Sequence, residues 1–337
     1  MTMKRILITG GSGFIGFHLA KELQQEGHEL TLIDNFSRNA KDDDFNAFSA
    51  LPNIKFIEAD MTEKLFYKDL TGYYDEIYHL AAINGTRHFY EKPYEVLRVN
   101  ILSLINMLEW VTESNTGKFL FTSSSEAYAG TINEFGSSYN LVPSSENIPL
   151  CINDVHNSRF SYGGSKIAGE LLTINYFKHK QTPFTIVRYH NVYGPRMGFD
   201  HVIPEFCKRI YLKENPFELF GGEETRAFCY IADAVEATIL TMRSVETNQE
   251  IIHIGNSLEE IRIVDLAALL IRINKFDTSL KINPAPEGSV NRRCPDTKKL
   301  NECTGFIPKI NLHEGLLLTL TWYNNKYQTA STLEGGK

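Results

Sequence analysis

The chain has few of the features that mark disulfide-rich, zinc-binding or nucleic-acid-binding proteins. Its five cysteines are scattered and none belongs to a CxxC pair, which disfavours a disulfide framework or a zinc site and suits reduced thiols. The formal net charge is −7 at pH 7, which disfavours nucleic acid as a partner, because phosphate backbones are bound by clustered lysine and arginine. No two histidines have the spacing of metal ligands, so no metal is predicted.

Long apolar runs are also missing. The longest such stretch, residues 263–273, contains Asp265 and Arg272 and is shorter than a membrane span. The first residues lead directly into an apolar strand pattern, with nothing that resembles a signal peptide. We therefore expect a cytoplasmic protein with no membrane association.

The N-terminal half alternates short apolar strands with longer amphipathic helices. This alternation predicts an α/β fold of Rossmann type, with a doubly wound parallel sheet covered on both faces. The strands are predicted at 5–9, 30–34, 54–58, 76–80, 119–122 and 184–188, and the helices at 13–26, 94–113 and 162–179.

Beyond residue 188 glycine and proline become frequent. This composition predicts a smaller, interleaved C-terminal substrate domain over the carboxyl edge of the sheet, where α/β folds bind ligands. We therefore divide the chain into a Rossmann-type domain, 1–188, and a smaller, mainly substrate-binding domain, 189–328. Strand 251–254 is expected to return to the main sheet, and residues 329–337 to form a frayed tail.

A glycine-rich loop follows the first predicted strand and opens the first helix. Gly10, Gly13 and Gly16 allow a tight turn, close approach to a pyrophosphate and close helix–sheet packing. Asp34 lies 18 residues after Gly16, at the end of the second strand, where an acid binds ribose hydroxyls and repels a 2′-phosphate. Asp34 could instead simply begin a turn, and Arg38 could favour NADP. The pattern as a whole favours NAD.

Tyr162 and Lys166 stand four residues apart, on one face of a predicted helix. A free tyrosine has a pKa of about 10, but a nearby ammonium group favours the phenolate. The pair can therefore take a proton from a sugar hydroxyl during hydride transfer. Alone, the spacing is more typical of a surface tyrosine beside a solvated lysine, and only the other motifs favour the catalytic interpretation. Ser124, at the end of the fifth predicted strand, adds a hydroxyl that can share the reacting oxygen.

Together these motifs resemble the extended short-chain dehydrogenase/reductase family, specifically its nucleotide-sugar epimerases, dehydratases and decarboxylases. The resemblance runs from Gly10 to about Trp322. It implies a homodimer formed through helices 94–113 and 162–179, and Tyr162, Lys166 and Ser124 as catalytic residues. It implies cofactor contacts from Gly10, Gly13, Phe14, Ile15, Gly16, Asp34, Asn35, Ser37, Asp60, Met61, Leu80, Ala81, Ala82, Asn100, Tyr162 and Lys166. It implies substrate contacts from Ser124, Ser125, Asn191, Arg226 and Arg293.

The residue two positions after the catalytic serine helps to separate the reactions of this family. Glu126 stands there, either as a fourth catalytic residue, an acid/base group near C5, or as a carboxylate that points to solvent. Dehydratases often carry an aspartate where this chain has Ser125, whereas UDP-glucuronate decarboxylases and some dehydratases carry Thr-Ser-Glu. The Arg-x-Pro-Asp sequence around Arg293 also resembles the decarboxylases, but segment 83–88 departs from their pattern.

The predicted function is therefore an NAD-dependent modification of a nucleotide sugar through oxidation at C4. UDP-glucuronate decarboxylation is the first candidate, followed by 4,6-dehydration and 4-epimerisation. A non-catalytic NAD-binding sensor or scaffold is the alternative from another class, but such proteins usually lose the tyrosine–lysine pair. His79 and His190, at the ends of strands, are expected to be hydrogen-bonded structural residues.

Overall fold

A computed structural model describes residues 2–38, 41–199, 201–284 and 290–334. Within these ranges the strands are β1 (Arg5–Thr9), β2 (Glu29–Asp34), β3 (Ile54–Glu58), β4 (Tyr74–His79), β5 (Thr116–Ser124), β6 (Phe184–Tyr189), β7 (Val192–Tyr193), β8 (Phe217–Phe220), β9 (Thr225–Ala227), β10 (Cys229–Tyr230), β11 (Glu250–Ile254), β12 (Glu260–Arg262), β13 (Leu280–Asn283) and β14 (Arg292–Arg293).

The helices of the same ranges cover the sheet and build the C-terminal part. They are α1 (Phe14–Gln25), α2 (Asp43–Ser49), α3 (Thr86–Glu91), α4 (Pro93–Trp110), α5 (Ala129–Tyr139), α6 (Phe160–Phe177), α7 (Val202–Tyr211), α8 (Ile231–Arg243), α9 (Ile263–Ile273), α10 (Lys298–Thr304) and α11 (Leu312–Glu334). None of these helices is both long enough and apolar enough to cross a membrane.

The central sheet of the described chain has seven parallel strands in the order β11-β6-β5-β4-β1-β2-β3. Successive side chains of a strand point to opposite faces, and β1 shows this clearly. Ile6 and Ile8 pack in one core with α1 and α8, whereas Leu7 packs in the other with α4 and α6. Burial on both faces explains why β1 is a continuous apolar run, and it confirms the Rossmann-type α/β fold.

All six strands predicted for the N-terminal half are present, with boundaries shifted mainly in β4 and β5. The predicted return of a late strand is confirmed, because β11 pairs in parallel with β6. Helices α2, α3 and α5 were not predicted. The tail expected from Thr329 is helical as far as Glu334, and residues 335–337 lie outside the described residues.

The C-terminal part contributes short strands around the carboxyl edge of the main sheet. β9 pairs with β12 and β14, β8 with β13, and β7 with β10. The pairing of β9 with β14 places Arg226 directly beside Arg293. The division of the chain into two domains at residue 188 stays a prediction. β11 belongs to the main sheet although it follows residue 188 in the sequence.

Candidate active site

A cleft of about 330 Å³ lies at the carboxyl ends of the parallel strands, where ligands bind in open α/β sheets. It collects most of the side chains singled out from the sequence. From the predicted cofactor set it is lined by Gly10, Gly13, Phe14, Ile15, Gly16, Asp34, Asn35, Ser37, Asp60, Met61, Leu80, Ala81 and Ala82, and from the predicted catalytic and substrate sets by Ser124, Ser125, Glu126, Tyr162, Lys166, Asn191 and Arg293.

The glycine loop fits a dinucleotide. Gly10 has φ +70°, and a Cβ there would lie 2.9 Å from the backbone nitrogen of Ala81. A Cβ on Gly16 would lie 2.1 Å from the Gly10 carbonyl oxygen. Helix α1 begins just after Gly13, with neither a side-chain cap nor an acidic residue in its first turn. Its N–H groups are therefore left to bind an anion such as a pyrophosphate.

Asp34 joins the glycine loop to the end of β2. Its Oδ2 accepts from the backbone N–H of Ser12 at 3.1 Å, and its Oδ1 accepts from that of Phe36 at 2.9 Å. Asp34 thus does begin a turn, but it also lines the cleft. Each carboxylate oxygen keeps a further lone pair, so this turn does not compete with binding of ribose hydroxyls.

Asn100 is the one predicted cofactor residue that does not line the cleft. Its side chain accepts from the backbone N–H of Ile83 at 2.7 Å and donates to the Ile83 carbonyl at 3.1 Å and to the Ser165 hydroxyl at 3.1 Å. These bonds fasten segment 83–89 to the catalytic helix α6. The direct contact of Asn100 with the cofactor stays a prediction, and the hydrogen bonds show in addition that its amide holds neighbouring protein segments in place.

Tyr162 and Lys166 are buried, so the solvated-surface interpretation of this pair is wrong. Burial raises the pKa of Tyr162 to about 12, against the lowering effect of the hydrogen bond with Ser124. Burial lowers the pKa of Lys166 to about 8, and its Nζ donates to the Thr122 carbonyl at 2.8 Å. The Ser124 hydroxyl is thus hydrogen-bonded to the phenol, the ammonium group lies 5.5 Å from the centroid of the Tyr162 ring, and all three residues line the cleft.

Glu126 is held between two arginines. Arg159 donates to its carboxylate from Nε at 3.0 Å and from Nη2 at 3.1 Å, and Arg293 donates from Nη1 at 2.5 Å. Burial alone would raise the pKa of Glu126, but the two guanidinium groups outweigh it and lower the pKa to about 2. Glu126 does not point to solvent, and at neutral pH it is ionised. A carboxylate of such low pKa is a weak base and holds no proton to donate.

The sequence analysis did not identify Arg159. Its position, one helical turn before Tyr162 at the start of α6, was the available signal, because residues three apart share a helix face. Gly163 completes the arrangement, since a Cβ there would lie 2.9 Å from the Glu126 carbonyl oxygen. The glycine lets the turn that carries Glu126 approach α6 closely.

Three arginines, Arg159, Arg226 and Arg293, interact electrostatically with the single carboxylate of Glu126 near this end of the cleft. Burial, with Arg293 nearby, lowers the pKa of Arg226 to about 9. Arg226 does not itself line the cleft, and its guanidinium donates to the Thr225 carbonyl at 2.8 Å. Arg293 does line it, and its buried Nη2 has no hydrogen-bond partner among the described residues. This nitrogen is a donor prepared for an anionic ligand.

Asn191 lines the cleft from the loop between β6 and β7. Its φ is +42°, and its amide donates to the Ala227 carbonyl at 3.0 Å. The expectation that the neighbouring His190 is hydrogen-bonded is wrong, because neither of its buried ring nitrogens has a hydrogen-bond partner within the described ranges. Burial lowers its pKa well below the ordinary value, and it lowers that of His79 to about 3. Both rings are neutral, and only His79 is hydrogen-bonded, to Thr9.

Comparison with known proteins agrees with this geometry. The model of the NAD dependent epimerase/dehydratase family matches residues 6–255. The UDP-N-acetyl-alpha-D-glucosaminuronate decarboxylase of Bacillus cytotoxicus is 34% identical over 95% of this chain and 98% of its own. UDP-glucuronic acid decarboxylase 6 of Arabidopsis thaliana is 32% identical over 93% of this chain and 87% of its own.

A solved structure shares the whole architecture. It is the UDP-glucuronic acid 4-epimerase of Bacillus cereus in complex with UDP-glucuronic acid and NAD. The TM-score is 0.82 and the identity 26%, over 96% of this chain and 100% of the epimerase. The similarity therefore extends well beyond the cofactor loop.

Proposed function

The chain belongs to the NAD dependent epimerase/dehydratase family and is an NAD-dependent enzyme that modifies nucleotide sugars, and from this premise we propose that it decarboxylates UDP-glucuronate. The proposed reaction begins with oxidation of the C4 hydroxyl of the sugar. NAD supplies the hydride acceptor for that step and returns the hydride at the end. The other roles fall to side chains of this chain.

Tyr162 takes the proton of the C4 hydroxyl, and Ser124 shares the same oxygen. Lys166, charged below its pKa of about 8, favours the phenolate electrostatically. The cofactor is held by the glycine loop, Asp34 and the cleft-lining residues named above. Asn191 and Arg226 are proposed for the substrate diphosphate, because guanidinium and amide N–H groups suit phosphate oxygens.

A C4 ketone makes a C5 carboxylate a β-keto acid. The C5–C6 bond then breaks, carbon dioxide leaves, and the bonding electron pair forms an enolate with the C4 oxygen. Water supplies the proton that adds at C5. Return of the hydride, together with the proton that Tyr162 took in the first step, then turns the ketone back into a hydroxyl, which gives a pentose nucleotide. No base has to remove a proton from C5 on this route.

The Arg159–Glu126–Arg293 cluster is the observation that carries this proposal. A dehydratase needs a base at C5, and an ionised Glu126 with a pKa of about 2 is poorly suited to that task. Arg293 lines the cleft with a guanidinium group whose buried Nη2 has no hydrogen-bond partner among the described residues, and a positive charge there suits an acidic sugar better than a neutral one. Decarboxylation of an acidic sugar agrees with both features, because it needs no base at C5 and its substrate carries a carboxylate.

Epimerisation at C4 of the same acidic sugar is the second candidate, favoured by the likeness to the Bacillus cereus enzyme. It needs Tyr162 and the arginines and, like decarboxylation, it needs no base at C5. A sensor or scaffold is disfavoured because Tyr162, Lys166 and Ser124 are all retained and gathered at one point of the cleft.

A substrate panel tests the reaction. The protein is incubated with UDP-glucuronate, its N-acetylated amino counterpart, and neutral UDP-, GDP-, dTDP- and CDP-sugars, and products are identified by mass spectrometry and NMR. We expect carbon dioxide and a pentose nucleotide from UDP-glucuronate. Unchanged mass with inverted C4 would establish an epimerase instead, and loss of water from a neutral hexose nucleotide a dehydratase.

The choice of NAD over NADP is predicted to depend on Asp34. We expect Asp34→Ala to weaken NAD binding by about tenfold or more, equivalent to about 1.4 kcal/mol. Asp34→Asn keeps hydrogen-bonding capacity but removes the charge, so NADP should bind it better than it binds the native protein. Calorimetric titration of both cofactors measures this, with Asp69→Ala, at an exposed site, as control. Tighter native binding of NADP than of NAD would contradict the prediction.

We also propose a cytoplasmic homodimer. α4 and α6 pack together and expose the apolar side chains of Tyr94, Leu97, Leu171 and Ile174, which a second copy would cover. The cysteines of the described ranges are all free, as is usual in a reducing compartment.

A further inference from the structure

Phe89 lies against the ring of the proposed base. The two rings are nearly parallel, with an interplanar angle of 10° and centroids 4.8 Å apart. Both side chains are buried, and with Ile83 and Val96 they form a small apolar cluster separate from the main cores. Phe89 also lines the cleft, so it separates one face of Tyr162 from the solvent that enters there.

The position of Phe89 is fixed by contacts that lead back to the catalytic helix. Asn100 binds both backbone polar groups of Ile83 and the Ser165 hydroxyl. The Ser161 hydroxyl donates to the Phe89 carbonyl at 3.4 Å. The segment that carries Phe89 is therefore tied by hydrogen bonds to α4 and α6, and the stack does not depend on side-chain packing alone.

We propose that Phe89 is a positioning residue for Tyr162, which fixes the orientation of the phenol and controls when it ionises. The face of an aromatic ring carries negative partial charge, so it disfavours a phenolate stacked on it. The apolar ring also excludes water that would solvate the phenolate. Phe89 thereby opposes ionisation of the phenol, against the effect of nearby cations.

The charged groups around Tyr162 are consistent with this role. Lys166 has its Nζ 5.5 Å from the ring centroid, Arg38 lowers the pKa of Tyr162, and Glu126 raises it. Arg87 and Glu91 on α3 pair with each other, and both are more than half exposed. Helix α3 therefore acts on Tyr162 through the Phe89 ring.

The test compares Phe89→Leu and Phe89→Met, which remove the ring, with Phe89→Tyr, which keeps it. Phe89→Met replaces the ring by an unbranched, flexible side chain that can fill an irregular gap, and it keeps the test open if Phe89→Leu fails to fold. Phe177→Leu is the matched control, because Phe177 stacks on Phe184 in the same way but in a remote core. For each variant kcat, KM and cofactor affinity are measured across pH, on whichever nucleotide sugar the panel identifies.

We expect loss of the ring to lower kcat by about tenfold or more, with KM within about twofold. The ascending limb of kcat against pH should move to lower pH, because the phenol ionises more readily. Phe89→Tyr should restore both, and Phe177→Leu should change only thermal stability. If the ascending limb of kcat against pH stays at its native position in Phe89→Leu and Phe89→Met, the inference is overturned, whether or not kcat falls.

The inference rests on Tyr162 being the base. If Tyr162→Phe stays active, the proposed function fails. If Tyr162→Phe is inactive and the Phe89 variants keep the native limb, the inference about Phe89 fails alone.

Discussion

Replacing Tyr162 by phenylalanine is expected to lower turnover by about a thousandfold or more, the upper range for loss of a general base. The ring and its stack on Phe89 remain, and only the hydroxyl that meets Ser124 is lost. Binding of NAD and of the nucleotide sugar should therefore stay close to native. Steady-state kinetics and calorimetry on the same preparation separate the two effects.

Tyr176→Phe is the matched control for this variant. Tyr176 lies on the same helix, and its hydroxyl donates to the Val111 carbonyl outside the cleft. Its removal should cost stability without affecting turnover. If Tyr162→Phe keeps turnover within about tenfold, corresponding to only about 1.4 kcal/mol of barrier, another group is the base.

The second large effect is expected for Glu126→Gln. Arg159 and Arg293 would lose their shared carboxylate in a site where the Glu126 side chain is only 15% exposed. Breaking a buried ion pair from one side typically costs about 3 kcal/mol or more, so the free energy of unfolding should fall by about that amount. A bound acidic sugar supplies a replacement carboxylate. UDP-glucuronate should therefore raise the melting temperature of this variant more than UDP-glucose does.

The same variant reports on the reaction. A decarboxylase should keep part of its turnover, because the β-keto acid loses carbon dioxide without a base. A dehydratase should stop after oxidation, with reduced nicotinamide accumulating in its absorbance band. Glu134→Gln, at an exposed position of α5, controls for the loss of charge. If Glu126→Gln had native stability and native rates, Glu126 would neither stabilise the site nor take part in the reaction.

The sequence predicted best what depends on local pattern. Short stretches of the chain were enough to identify the glycine loop, Asp34 and the tyrosine–lysine pair. Short apolar runs were enough to predict the strands of the main sheet. The ionisation of Glu126 could not be read in this way. Arg293 is 167 positions away along the chain, and only the pairing of β9 with β14 brings it back to the cleft. Electrostatic effects of this kind depend on tertiary contacts.

The contacts of Asn100 and Phe89, which are uncharged, could not be predicted from the local sequence either. Family resemblance assigned Asn100 to the cofactor but did not show the hydrogen bonds of its amide to Ile83 and Ser165. Nothing in the sequence of α3 marks Phe89 as special, because an aromatic residue in a short helix is usually packing. Its importance appears only when its ring is found against Tyr162.

The late arrival of β11 has a consequence for biosynthesis. β6 pairs on one side with β5 and on the other with β11, which is made some 60 residues later, so β6 is an open edge while the intervening segment emerges. That edge carries the buried residues Phe184, Ile186 and Val187 and is a template for pairing with other chains. A nascent chain in which β6 has emerged but β11 has not would expose an apolar strand edge. Productive folding of the cofactor-binding half therefore depends on synthesis of residues that belong, by position in the sequence, to the other half.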